Sequence, residues 1–209
     1  MPDDDRKRRI LDAALELADE RGLTGVTMRA LAQKLGVTAM ALYPHIGDKD
    51  GLLDGLVDRM LAEMLPAVTV DGTPEERLMA VGQAARELAR RHPSAYALLL
   101  ARPAVTPDAV RLVDAIYGAL LELGVPESEV PRVERLITTF ALGYASSEAN
   151  GRFSAGTINP RGRRAQFPAE EVPAHRRLSE VLDRIPDWDA EYEADLQDLL
   201  LMLRARWPA

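Results

Sequence analysis

Apolar residues recur at spacings of three and four along almost the whole chain and nowhere alternate as a half-buried strand would, so the expected class is all-α. Residues 6–21 place Ile10, Ala13, Ala14, Leu17 and Ala18 on one face, and Gly22 closes that helix. A second pattern over 28–35 groups Leu31, Ala32 and Leu35, with Thr27 as its N-cap and Gly36 where the backbone needs a left-handed residue. Gly36 and Val37 make a turn, and Thr38 is placed to cap a third helix of about 8 residues, roughly 12 Å long at about 1.5 Å per residue. Asp48 is placed to cap a fourth, whose stripe of Leu53, Leu56, Val57, Met60, Leu61 and Met64 runs to Pro66. Two short helices joined by a tight turn and followed by another have the layout of a helix-turn-helix reader.

Beyond the break before Pro74, helices are expected at 75–91, 94–100, 107–123, 131–152 and 190–206, with Pro93, Pro103, Gly124 and Pro126 at the junctions. The stretch 153–188 departs from this rhythm. It holds Gly156, Pro160, Gly162, Pro168, Pro173 and Pro186 and reads as a long loop, either a lid or a mobile linker, with one short helix over 174–185. The resulting division is a reader over 1–48, a linking helix over 49–66 and a larger helical domain over 67–209.

Composition narrows the function. Cysteine is absent, which removes disulfides and thiolate chemistry, and neither a leader peptide nor a bilayer-length apolar run is seen, so a soluble cytoplasmic protein without membrane partners is expected. His45, His92 and His175 lack metal-ligand spacing, and the chain carries no GxSxG, no HExxH and no phosphate-cradling glycine loop. Neither an enzyme nor a metal or cofactor protein is therefore expected. The net charge of -7 runs against a nucleic-acid partner, yet Arg6, Lys7, Arg8 and Arg9 precede the reader, and Arg29, Lys34 and Lys49 lie in or beside it. Positive charge on one face suits phosphate contact.

The third helix has a groove-compatible length but carries Ala39, Met40, Ala41 and Leu42, with no amide or guanidinium to make a bidentate pair with a base edge. Ala39 or Met40 suits a thymine methyl, and Thr38 suits a phosphate as well as a cap.

The segment Ala41 to Leu53, ALYPHIGDKDGLL, together with the glycine turn and the helix spacings over roughly the first 65 residues, resembles the DNA-binding domain of TetR-type transcriptional regulators. The resemblance implies a DNA-reading set of Thr27, Arg29, Thr38, Ala39, Met40, Tyr43, Pro44, His45 and Lys49, in which Tyr43 and Lys49 hold the backbone and Arg29 reaches a base or phosphate. It further implies a ligand-responsive homodimeric repressor bound to a palindromic double-stranded operator, with an unidentified small-molecule effector in the larger domain. For that effector the polar-tipped apolar residues Tyr96, Leu99, Tyr117, Phe140, Tyr144, Glu148 and Phe153 are candidates. Two stripes, Leu196, Leu199, Leu200, Leu203 and Trp207, and Leu136, Phe140, Gly143, Tyr144 and Ser147, suit either the subunit core or a partner helix, and the resemblance favours a two-fold four-helix bundle. The alternative is a helical ligand-binding or scaffolding protein with a vestigial reader.

Overall fold

The computed structural model describes residues 3–68, 71–102, 106–153 and 160–208, and among them every regular element is helical. Pro103 and the 154–159 part of the expected loop, Gly156 included, lie outside the described residues. The first helix, α1 (Asp3–Gly25), runs four residues past the expected stop, but Gly22 breaks its geometry at φ 71° and ψ 167°. Helix α2 (Met28–Leu35) begins at Thr27, whose hydroxyl accepts from the Ala30 amide at 3.1 Å. It ends in a Schellman motif: Gly36 is left-handed at φ 67°, its amide donates to the Gln33 carbonyl, and the Val37 amide donates to the Ala32 carbonyl at 3.0 Å.

The third helix is less regular than its pattern suggests. A 3-10 turn over Ala39–Ala41 passes through Leu42 into the single turn of α3 (Tyr43–Ile46), and the Thr38 side chain makes no capping bond. Pro44 explains part of this, since a residue without an amide hydrogen is tolerated only in a helix's first turn and so marks a fresh start. Helix α4 (Lys49–Val68) then runs into the rest of the molecule.

Helices α5 (Pro74–Arg91), α8 (Pro107–Glu122), α9 (Val130–Ala149) and α13 (Trp188–Arg206) build the larger part. The helix expected at 94–100 is two single turns, α6 (Pro93–Tyr96) and α7 (Leu98–Ala101), and the one expected at 131–152 ends three residues early. Proline also corrects the reading of 153–188. Pro160 opens α10 (Pro160–Arg164), Pro168 precedes a 3-10 turn at Ala169–Glu171, and Pro173 opens α11 (Pro173–Arg177), which breaks at Leu178 before α12 (Ser179–Leu182). These prolines start helices because their missing amide hydrogen is not needed there. The excursion is tied to itself, Asp183 accepting from Arg164 at 2.5 Å and from Arg161 at 3.2 Å.

One continuous buried cluster joins the reader to the rest. It runs from Ala14, Leu17, Leu31 and Ile46 through Leu52, Leu56 and Met60 of α4 to Leu88, Tyr96, Ile116 and Val133. Each fully buried leucine contributes roughly 1.5–3 kcal/mol. Two buried tyrosines differ in their hydroxyls. Tyr192 donates to the Gly82 carbonyl at 2.7 Å, pinning α13 to α5, whereas the buried Tyr96 hydroxyl has no partner among the described residues. Tyr192→Phe is therefore expected to cost about 1 kcal/mol in urea unfolding, and Tyr96→Phe to leave stability unchanged or raise it. A loss at Tyr96 as large as that at Tyr192 refutes the distinction.

Candidate DNA-reading surface and ligand cavity

The 3-10 turn and α3 leave their outer face to solvent because Leu42 and Ile46 alone of this segment are drawn into the core. Met40 is 75% exposed and Tyr43 43%; Thr38 and Pro44 stand out with them, while Ala39 and His45 are half-buried. Arg29 is exposed on the first turn of α2 and forms no ion pair among the described residues. Eight of the nine sequence-identified positions, with Thr27 at the α2 cap, thus cluster about two short helices. The ninth, Lys49, is turned inward: its Nζ donates to the Val26 carbonyl, fastening the start of α4 to the α1–α2 connection.

Lys34 is likewise withdrawn from the basic face expected of it. Its ammonium lies 2.7 Å from Glu20 and 3.1 Å from Glu16 of α1, and hydrogen bonding to Glu20 first, then Glu16, raises its pKa. Arg29 and the run Arg6, Lys7, Arg8 and Arg9 are exposed, and Arg8 makes a loose 3.7 Å pair with Asp5. Arg6 and Arg9 flank a cleft of about 180 Å³ shared with Val37, Ala41 and Leu42, which brings that run beside the reading helix.

Gly51 is a contributor the sequence reading missed. A β-carbon there would drive into the Ile46 backbone carbonyl, so α4 passes under the end of α3 at a separation only glycine allows. The Gly51 amide also donates to Asp48 Oδ1 at 2.9 Å, the capping bond expected of that aspartate.

In the larger part, an apolar cavity of about 190 Å³ lies between α4, α5, α7, α8, α9 and α13. Leu61 and Met64 of α4, Leu78 and Met79 of α5, Leu112 and Ile116 of α8, and Leu199 and Leu200 of α13 form its walls, and Glu134 and Thr138 of α9 bring polar atoms to it. Of the seven effector candidates only Leu99 lines this space. Tyr96 is core and Tyr117 packs against the core. Phe140, Tyr144 and Phe153 instead form an aromatic cluster with Tyr192 and Trp188, ring centroids 4.7 to 6.4 Å apart.

Glu148 is committed to arginine. Its carboxylate accepts from Arg86 Nε and Nη2, both at 2.6 Å, and from Arg90 at 3.0 Å. Burial pushes its pKa up, but the Arg86 and Arg90 hydrogen bonds outweigh this and hold it below the ordinary 4.5. Arg86 is itself buried, under the ring of Tyr192 at 4.8 Å. The pocket residues escaped the sequence reading because α9 has more than one apolar stripe: Val133, Ile137, Ala141 and Ala145 face inward, while Leu136, grouped with Phe140 in the sequence, is 49% exposed.

Residues 10–56 match the family of bacterial regulatory proteins of the tetR type, and residues 78–166 match the tetracyclin repressor-like C-terminal domain. An HTH-type transcriptional regulator of Saccharopolyspora erythraea is 29% identical over 206 residues, covering 94% of this chain and 84% of that one. The class A tetracycline repressor protein of Escherichia coli is 31% identical over 156 residues, 70% of this chain and 68% of that protein. Among solved structures, the TetR family protein ActR of Streptomyces coelicolor, in complex with (S)-DNPA, superposes with a TM-score of 0.80 at 25% identity, covering 95% of this chain and 96% of that one.

Two outcomes are expected. Gly51→Ala displaces α3, so duplex affinity falls at least about tenfold in fluorescence anisotropy while the apolar cavity is retained; unchanged affinity overturns the buttress. Because the folded Glu148 titrates below its unfolded value, its contribution is complete above about pH 4.5 and disappears as the pH falls through the lower folded value. Glu148→Gln should thus lose on the order of 3 kcal/mol at pH 7 and show a flatter stability profile under acid, read from urea unfolding across pH.

Proposed function

We propose that this chain, which belongs to the TetR family of bacterial transcriptional regulators, is a homodimeric repressor of a palindromic operator whose grip on DNA changes when a small molecule fills the cavity. The observation that carries this is the double duty of α4. Leu61 and Met64 line the cavity, and about 20 Å away along the same helix Lys49 and Gly51 meet Val26 and Ile46 of the reader. A ligand that displaces the cavity end of so stiff an element displaces the reader end too. It shifts the balance only by its difference in affinity for the two positions of α4.

The dimer reading is supported by apolar surface without an intramolecular role. Leu136 and Thr139 of α9 are exposed, an added β-carbon at Gly143 would meet nothing within 4 Å, and Met202 of α13 is 59% exposed. Paired across a two-fold axis, such faces bury one another and set two readers about 34–36 Å apart, one turn of DNA. No described helix is long and apolar enough to cross a membrane, which accords with work in the cytoplasm on DNA.

Reading is proposed to rest on Arg29 and duplex shape, with Met40 against a thymine methyl and Thr38 and Tyr43 on phosphates, since no side chain from Ala39 to Leu42 forks onto a base. Selection from random duplexes should return a palindrome, bound by a dimer in light scattering. Arg29→Ala should lose about 1–3 kcal/mol of discrimination against scrambled duplex at fixed salt. No duplex binding at low salt with ligand binding intact supports the vestigial reader instead.

A further inference from the structure

The cavity walls are hydrocarbon and thioether, and among the described residues Glu134 is the one ionisable side chain that lines them. Among the described residues its carboxylate forms no ion pair and takes only the Thr138 hydroxyl, at 3.2 Å, which also donates to the Glu134 carbonyl at 2.9 Å. Several other half-buried carboxylates are matched to cations, Glu148 with Arg86 and Arg90, Glu63 with Arg59 and Arg91, Glu75 with Arg204; Asp58 of α4, whose Oδ1 also lacks a partner among the described residues, does not line the cavity. Arg77, next to the wall residue Leu78, is turned to Glu122 and leaves Glu134 alone.

A second observation bears on the same charge. Met79 and Leu200 line both the cavity and an outer groove between α5 and α13, so these two side chains are the partition between them. Among the described residues the groove carries Glu75, Glu76 and Glu193 against a single cation, Arg204. A mouth of that sign concentrates positive solutes and repels anions.

We propose that the effector is a lipophilic cation: an apolar body that fills the cavity and one protonated amine that pairs with Glu134, admitted past Met79 and Leu200. This rests on reading the cavity as the effector site. An unpaired carboxylate against hydrocarbon is unfavourable, and an ammonium in contact with it recovers a charge-assisted hydrogen bond in low dielectric. A neutral body of the same shape gains burial alone, and an anion meets repulsion at both mouth and wall. The size is set by the space: a cavity of about 150 Å³ holds benzene, so one of about 190 Å³ takes an aromatic ring with a short tether.

The test is calorimetry on the full chain at pH 7, without DNA, using 3-phenylpropylammonium, 3-phenylpropanol and 3-phenylpropionate as matched probes. The wild-type protein is expected to bind the ammonium about tenfold tighter than the alcohol, and the carboxylate most weakly. Glu134→Gln should bring the ammonium down to the level of the alcohol, whose own affinity stays put. Three results overturn the proposal: a carboxylate that binds as well as the ammonium, no ammonium binding at millimolar concentration, or a preference that survives Glu134→Gln. The wild-type ranking stands even if the variant folds poorly. Operator binding measured separately distinguishes the two readings. If the ammonium obeys the ranking yet leaves the grip on DNA unchanged, the ligand class holds and the regulatory role fails.

Discussion

Close approach at two glycines of α4 is the constraint on which the other arrangements depend. A β-carbon at Gly55 would lie 2.7 Å from Leu11 of α1, and one at Gly51 would strike the Ile46 carbonyl at the end of α3. The end of α3 therefore rests against the α4 backbone itself, while α1 rests on α4 through the Leu11 side chain seated over Gly55. Leu52, Leu56 and Met60 fill the space this leaves, and all are fully buried. Because interiors packed this densely transmit displacement rather than absorb it, a shift of α4 is passed on to α1 and α3.

Charge holds the same joint from outside. Arg59 of α4 lies 2.5 Å from Asp12 of α1 and 3.1 Å from Glu63, which also meets Arg91 of α5; His92 lies 2.8 Å from Asp19 of α1, and Arg102 reaches Asp50 and Asp54 of α4. Much of the acidity of helix one, which on net charge argues against a nucleic-acid partner, is spent on this joint and on Lys34. The exposed Arg6, Lys7, Arg8, Arg9 and Arg29 lie on the reading side. Overall charge thus says little about a surface whose carboxylates are mostly engaged elsewhere.

The reader was legible because its signals are local. Thr27 finds its amide three residues on, Asp48 finds Gly51 three residues on, and Gly36 needs its left-handed conformation whatever surrounds it. The cavity was not, because its lining comes from six helices and the choice among the stripes of α9 depends on which neighbour arrives. Glu148 and Glu134 illustrate this. Each is a carboxylate on one amphipathic helix, and nothing local distinguishes the one that meets Arg86, distant in sequence on α5, from the one left to a threonine.

Periodicity, caps and punctuation by glycine and proline therefore determined by themselves the all-helical class, the order of the main helices and the positions that face outward on the reading segment. Tertiary structure alone decided that Thr38 leaves its cap unmade, that Lys34 and Lys49 turn to α1 and Val26 instead of outward, and that the cavity belongs to Glu134 rather than Glu148. The physical reason is range. Backbone hydrogen bonds and helical faces are settled within a few residues, whereas the partner of a long charged side chain is whichever opposite charge the packing of distant helices brings within reach.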